Sequence, residues 1–367
     1  MRIAVIHHSH DFSNDYAAYL SHLLDETAAE NDFVIKDYHS LLFSKETPGD
    51  ENILLHIVIP ATGNFSFRYW YRFKLPGILK KFKIDKVITQ YSIGIASPVC
   101  QLLVLPDAAL LTANKKMLPW QKFAAKRLQK SIATAHTVIT YSQHAKKSLE
   151  GFTNIDTQKI FVLPYTVNEL FRPMEWHDKL YIKSRFAENK EYFTSVLPDN
   201  DEKGFTELLK AFSKFKKWQQ SSMQLLLLPK EDSFGNMIYD KLDTYKYRDD
   251  VKLINDANKK ETADIIASAY ALLHVATADA DLLPVAAALQ SAAPVISFFT
   301  ESLDEYCAEA GIIIKEKGYE TLGDRLSELY KDENLRSHLS EAALKISEKF
   351  QQKEQAVRLW QLINEKC

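Results

Sequence analysis

His7, His8, His10 and Asp11 crowd three imidazoles and a carboxylate into five residues near the start of the chain. These are metal-ligand types, and neutral imidazole also binds hydroxyls and carries protons near neutral pH. The spacing fixes no coordination geometry, so no metal is expected. Glycine is scarce, at 10 of 367 residues, and no two glycines are spaced Gly-x-Gly. That excludes the dinucleotide fingerprint and the P-loop, which need several glycines to bring backbone amides onto phosphates. No cofactor is expected either. The three cysteines, Cys100, Cys307 and Cys367, lie far apart with no Cys-x-x-Cys pair, a usage that fits a reducing cytoplasm.

Charge is nearly balanced over the whole chain, 46 basic against 48 acidic residues, so nothing global advertises nucleic acid. Locally it is skewed. Residues 65–130 hold 13 Lys and Arg against Asp85 and Asp107, a net +11, whereas residues 1–64 hold three basic and ten acidic, a net −7. The basic region is interleaved with aromatics, as in FSFRYWYRFKLPGILKKFK, a pattern suited to anionic lipid headgroups. No nucleic-acid motif accompanies it. No apolar run approaches the ~20 residues of a membrane span, and Asp11 and Asp15 interrupt any signal-like core, so neither export nor spanning is expected.

The elements that must position these groups alternate. An apolar strand at Arg2 to Ile6 leads through the His7 to Asp11 loop into a helical pattern from Asp15 to Ala29. Short apolar runs follow at Ile53 to Pro60, Lys86 to Gln90, Leu102 to Leu105, Thr137 to Tyr141 and Lys159 to Leu163, with helix-length amphipathic segments between several of them. After Pro164 a mixed stretch reads as a crossing between domains. A second alternation has strands at Tyr192 to Leu197, Met223 to Leu228, Val251 to Ile254, Ala271 to Val275 and Pro294 to Phe298. Its helices are Gly204 to Trp218, Thr262 to Tyr270 and Pro284 to Gln290, and the tail from Thr321 reads as helical throughout. Strands alternating with helices give α/β domains with parallel sheets, and two of them make a cleft. Ligands bind beyond the carboxyl ends of such strands, which singles out the loops His7 to Asp11, Pro106 to Ala108, Pro198 to Lys203 and Ala276 to Leu283. His8 and His10 are therefore read as acceptor-contacting residues.

The string VLPDNDEKGFTELLKAFSKF (196–215) resembles the strand, loop, Lys-Gly and helix signature of family 4 glycosyltransferases of the GT-B fold. VITYSQHAKKSL (138–149), KIFVLPYTVNELFRP (159–173), residues 251–297 and SLDEYCAEAGIII (302–314) resemble further segments of that family in the same order, covering nearly the whole chain. The resemblance implies two Rossmann-like α/β domains facing a cleft: residues 1–165 on the acceptor side, 170–345 on the nucleotide-sugar side, and 346–367 as a helix returning to the first domain. It makes Lys203 a phosphate ligand, Asp279 a sugar-contacting acid and Asp107 a residue at the reacting centre. Ser142, Leu283, Pro284 and Val285 become substrate contacts. Pro284 suits the first turn of a helix, whose amides can hold a phosphate without a side chain.

Four positions depart from the family pattern. Pro198 stands where an Arg is usual, Ala287 where the second Glu of Glu-x7-Glu is usual, Pro106 where a His is usual, and Tyr165-Thr166 where Asn-Gly is usual. Losing a cation and a carboxylate removes about 3 to 6 kcal/mol of donor binding unless other groups replace it. The implied function is a metal-independent, retaining hexosyl transfer from a nucleotide diphosphate sugar to a glycan or lipid-linked acceptor in polysaccharide biosynthesis. It would take place in the cytoplasm, with residues 65–130 on the inner membrane face. The second reading is a degenerate GT-B protein serving as a binding or scaffold partner in glycan assembly.

Overall fold

The structure, a computed structural model, describes residues 1–8, 16–38, 51–59, 69–90, 99–105, 119–152, 156–197, 201–229, 237–275, 282–307, 309–348 and 351–365. The chain divides into two compact units, Met1–Pro164 with Lys353–Cys367, and Tyr165–Gln352.

The first unit holds a sheet of β1 (Arg2–His8), β2 (Phe33–Asp37), β3 (Asn52–Ile59), β4 (Lys86–Thr89), β5 (Cys100–Val104), β6 (Thr137–Thr140) and β7 (Ile160–Val162). Their order is β2-β3-β1-β4-β5-β6-β7. Every pairing is parallel. A parallel strand covered on both faces must be apolar along its length, and β4 and β6 are buried at every position. The helices described here are α1 (Tyr16–Thr27), α2 (Leu75–Lys81), α3 (Pro119–Thr134) and α4 (Gln143–Phe152). A turn of π-helix, Trp70–Lys74, precedes α2.

In the second unit β8 (Tyr192–Leu197), β9 (Gln224–Pro229), β10 (Val251–Leu253), β11 (Ala271–His274), β12 (Val295–Phe298) and β13 (Gly311–Ile314) run in the order β10-β9-β8-β11-β12-β13. All are again parallel. Around them lie α5 (Trp176–Phe186), α6 (Glu202–Gln219), α7 (Met237–Asp243), α8 (Lys259–Ser268), α9 (Leu283–Gln290), α10 (Glu301–Cys307), α11 (Tyr319–Lys331) and α12 (Glu333–Ser347). The core on the α6 side is built on Phe193, Phe205, Phe212 and Phe215, all fully buried. The Phe193 and Phe215 rings meet edge to face at 5.3 Å. Gly323 lets α11 lie against α6, where a Cβ would come within 3.0 Å of the Ala211 carbonyl oxygen.

The last helix, α13 (Gln352–Glu365), joins the first unit. Trp360 packs on Phe33 with ring centroids 4.8 Å apart and donates its Nε1–H to Thr27 Oγ1 at 2.9 Å. Leu359 and Ile363 are buried beside it. From below, the buried Lys86 ammonium donates to the carbonyl of Ile363 and, at 3.4 Å, to that of Asn364.

The stretch after Pro164, read as a crossing, begins at the boundary between the units and contains α5, a helix with few buried positions and hence no apolar run. One expectation from the sequence is corrected. The tail is broken at Asp332, whose carboxylate leaves the helical path and caps α12 by accepting the Leu335 amide at 2.9 Å. Cys100, read with the other cysteines as a usage that fits a reducing cytoplasm, is disulfide-bonded. Among the described residues, no helix is long and apolar enough to cross a membrane.

Candidate functional site

In each sheet the chain order reverses beside one strand, next to β1 in the first unit and next to β8 in the second. Open parallel sheets hold ligands beyond the carboxyl ends of strands at such points.

In the second unit β8 and β11 are parallel neighbours, and the helices that follow them begin at the same end of the sheet. Gly204 brings α6 there. A Cβ at this position would lie 2.7 Å from the Val275 carbonyl at the end of β11 and 2.7 Å from Asp201 Oδ2, so only hydrogen fits. Asp201 caps the helix by accepting the Gly204 amide at 2.8 Å. Glu202 is engaged by Lys241 at 3.0 Å, and Lys241 also donates to Thr206 Oγ1 at 2.7 Å. Lys203 is exposed between them and, among the described residues, makes no hydrogen bond or ion pair. Two of the loop's acids are thus occupied and its cation is available.

After β11, helix α9 opens with Leu283 and Pro284. Leu282 supplies no side-chain cap, and Pro284, fixed at a helical φ, brings no N–H of its own to the first turn. Leu283 is exposed, whereas Pro284 and Val285 are buried. Ala287 is buried as well, so no carboxylate stands at that point of the helix. The two helix N-termini lie at the same end of the sheet, one with a cationic side chain and one without a side-chain cap, and first-turn amides of this kind can hold an anion.

In the first unit the structure assembles a group that the sequence did not reveal. His7 on β1, His56 on β3 and Asp25 on α1 form a hydrogen-bonded chain, with His7 Nε2 2.7 Å from His56 Nδ1 and His56 Nε2 2.8 Å from Asp25 Oδ1. The two imidazoles stack with centroids 5.0 Å apart. Burial, reinforced by the charge of His56, pulls the His7 pKa down to about 4, so its ring is neutral near pH 7. With the Asp25 carboxylate accepting from His56 Nε2–H, His56 Nδ1 can accept from His7 Nε2–H.

Ser142 is fully buried, and its hydroxyl caps α4 by accepting the Ala145 amide at 3.0 Å. The backbone of His8 ends β1. The His8 side chain, His10, Asp107 and Asp279 lie outside the described residues, as does Pro198. Among the described residues no group of His, Cys, Asp and Glu is arranged to hold a metal ion.

Residues 178–346 match the family model described as glycosyl transferases group 1. The matched stretch lies within the second unit. No curated protein matches the chain. Among solved structures, WaaG, a glycosyltransferase involved in lipopolysaccharide biosynthesis, superposes with a TM-score of 0.76 at 14% identity, covering 99% of this chain and 100% of its own. Sucrose-phosphate synthase from Thermosynechococcus elongatus gives 0.78 at 15% identity over 100% and 98%. Anabaena Alr3699/HepE, solved in complex with UDP and glucose, gives 0.71 at 13% identity over 99% of each chain. The fold is therefore that of the GT-B proteins.

Proposed function

We propose that the protein transfers a hexosyl group from a nucleotide diphosphate sugar to a glycan or lipid-linked acceptor, with retention and without a metal. The observation that carries this reading is Lys203-Gly204 in the first turn of α6, seated against the end of β11 within the matched transferase domain. The donor diphosphate would lie across the N-termini of α6 and α9, held by first-turn amides and by Lys203. Departure of a diphosphate needs charge stabilisation more than a strong base, and fixed amide dipoles with one cation supply it without reorganising. Asp279 would contact the sugar and Asp107 the reacting centre, while His8, His10 and the first unit would hold the acceptor. A neighbour solved with UDP and glucose supports the donor class.

Calorimetric titration with UDP, GDP and their sugars tests the proposal. Lys203→Ala should weaken nucleotide binding roughly tenfold or more, since a charge-assisted contact contributes ~1.5 to 3 kcal/mol. Unchanged binding in the variant would reject the phosphate role of Lys203.

The second reading, binding without turnover, is favoured by two features of the same site. Asp201 already occupies the Gly204 amide, and Ala287 presents no carboxylate to a ribose. Donor binding without release of nucleoside diphosphate across a panel of acceptors would select it.

A further inference from the structure

Glu202 is the first residue of α6, so its carboxylate belongs to the same helical turn as the amides that a donor diphosphate would use. Asp201 Oδ1 takes the Gly204 amide, and the Phe205 amide goes to the Asp201 carbonyl. Among the described residues, the amides of Glu202 and Lys203 have no partner. The positive end of a helix attracts a carboxylate of its own first turn as it attracts a diphosphate, so the two anions compete for one place.

The structure holds Glu202 elsewhere. Lys241, in the last turn of α7, lies 3.0 Å from Glu202 Oε1 and donates to Thr206 Oγ1 at 2.7 Å. Thr206 is one turn further along α6, and its hydroxyl donates to the Glu202 carbonyl at 2.8 Å. The ammonium therefore ties Glu202 to the flank of the helix, away from its end. Lys241 is also the less exposed partner, 28% against 64%, so it is the lysine that places the acid. Its charge matters as well. Asp201, Glu202 and Lys203 together carry −1, and Lys241 brings the group to zero.

We propose that Lys241 is a positioning residue of the donor site: by holding Glu202 along the flank of α6, it leaves the first-turn amides and Lys203 to a nucleoside diphosphate. The inference rests on the donor site proposed above. Lys241 touches no part of the nucleotide and acts only through Glu202. Without it, a carboxylate freed within one turn of the diphosphate both repels it and occupies its amides.

The test is calorimetric titration of the full chain with UDP and with GDP, with thermal unfolding to check that each variant is folded. Lys241→Met should weaken binding by about three- to tenfold, and added salt should shrink the loss. Glu202→Gln introduced into that variant should restore the wild-type affinity, because it removes the carboxylate that Lys241 restrains. Lys241→Arg should keep the affinity, and Glu202→Gln alone should bind no more weakly than the wild type. A merely structural role for Lys241 predicts no rescue by Glu202→Gln. Unchanged affinity in Lys241→Met, a loss that Glu202→Gln does not restore, or weaker binding in Glu202→Gln alone would each overturn the role of Lys241, while binding that still depends on Lys203 would uphold the donor site. Wild-type protein that binds neither nucleotide would reject both.

Discussion

His7 carries a titration that the folded chain suppresses. Its imidazole ordinarily protonates at 6.5, and burial with His56 alongside lowers this to about 4, against the weaker opposing pull of Asp25 and Asp37. The unfolded chain takes up the proton first as pH falls. The stability associated with a neutral His7 is therefore complete above pH ~6.5 and is lost progressively down to pH ~4, by about 3 kcal/mol in all. Urea unfolding at pH 7 and pH 5 should differ by about 2 kcal/mol on this account, and His7→Gln should flatten that difference. An equally steep profile in the variant would assign the pH dependence elsewhere. Gly204 makes a second demand at this scale. Alanine is the better helix former by about 1 kcal/mol, yet its Cβ would press on the Val275 carbonyl and Asp201 at 2.7 Å. Overpacking wins, and Gly204→Ala should destabilise the protein by about 1 to 3 kcal/mol in chemical denaturation. A gain in stability would contradict the tight seat of α6.

Among the elements, α13 is the one whose removal is most easily read. Trp360→Ala should cost about 3 to 5 kcal/mol in denaturant unfolding, because it empties the site against Phe33 and removes a donor from Thr27. Trp360→Phe keeps most of the packing, loses the hydrogen bond and should cost only about 1 kcal/mol. Equal losses in the two variants would mean that ring packing contributes little. Trp360 and Leu359 are large apolar groups on an otherwise polar helix, and such groups must be covered, so the docking of α13 follows from its sequence. Strands β8, β9 and β11 were legible for the same reason, since burial on both faces leaves them almost uninterrupted apolar runs. β2 was not. It is an edge strand with only Phe33 buried, so its sequence FVIKD carries neither an apolar run nor clean alternation. The Lys203-Gly204 turn could be found from a local signature. The Asp25, His56 and His7 chain could not, because no local pattern connects residues brought together by strand pairing.

For the molecule as a whole, the contrast between +11 in residues 65–130 and −7 in residues 1–64 sets up a field rather than a contact. Tyr69 and Phe73 are exposed with ring centroids 5.2 Å apart. Exposed Lys74, Lys80, Lys81 and Lys83 follow in the same stretch, and Lys126 and Lys130 are exposed on α3. If these cations meet anionic lipid, each engaged one contributes ~1 kcal/mol and is screened within ~10 Å. Flotation should recover the protein with anionic vesicles at low salt, and less of it at physiological salt. Equal recovery with neutral vesicles would exclude an electrostatic attachment.

The return of α13 also sets an order of events during synthesis. The first unit contains both the earliest strand and the last helix, so the ribosome passes Pro164 about 190 residues before it reaches Lys353. At ~5 to 20 residues per second this interval is about 10 to 40 s. Throughout it Phe33 lacks Trp360, and the Lys86 ammonium lacks the carbonyls that hold it in the finished fold. The second unit, continuous from Tyr165 to Gln352, can close first. The half of the protein that is made earliest is thus completed last, and for that interval its apolar face around Phe33 is unfinished.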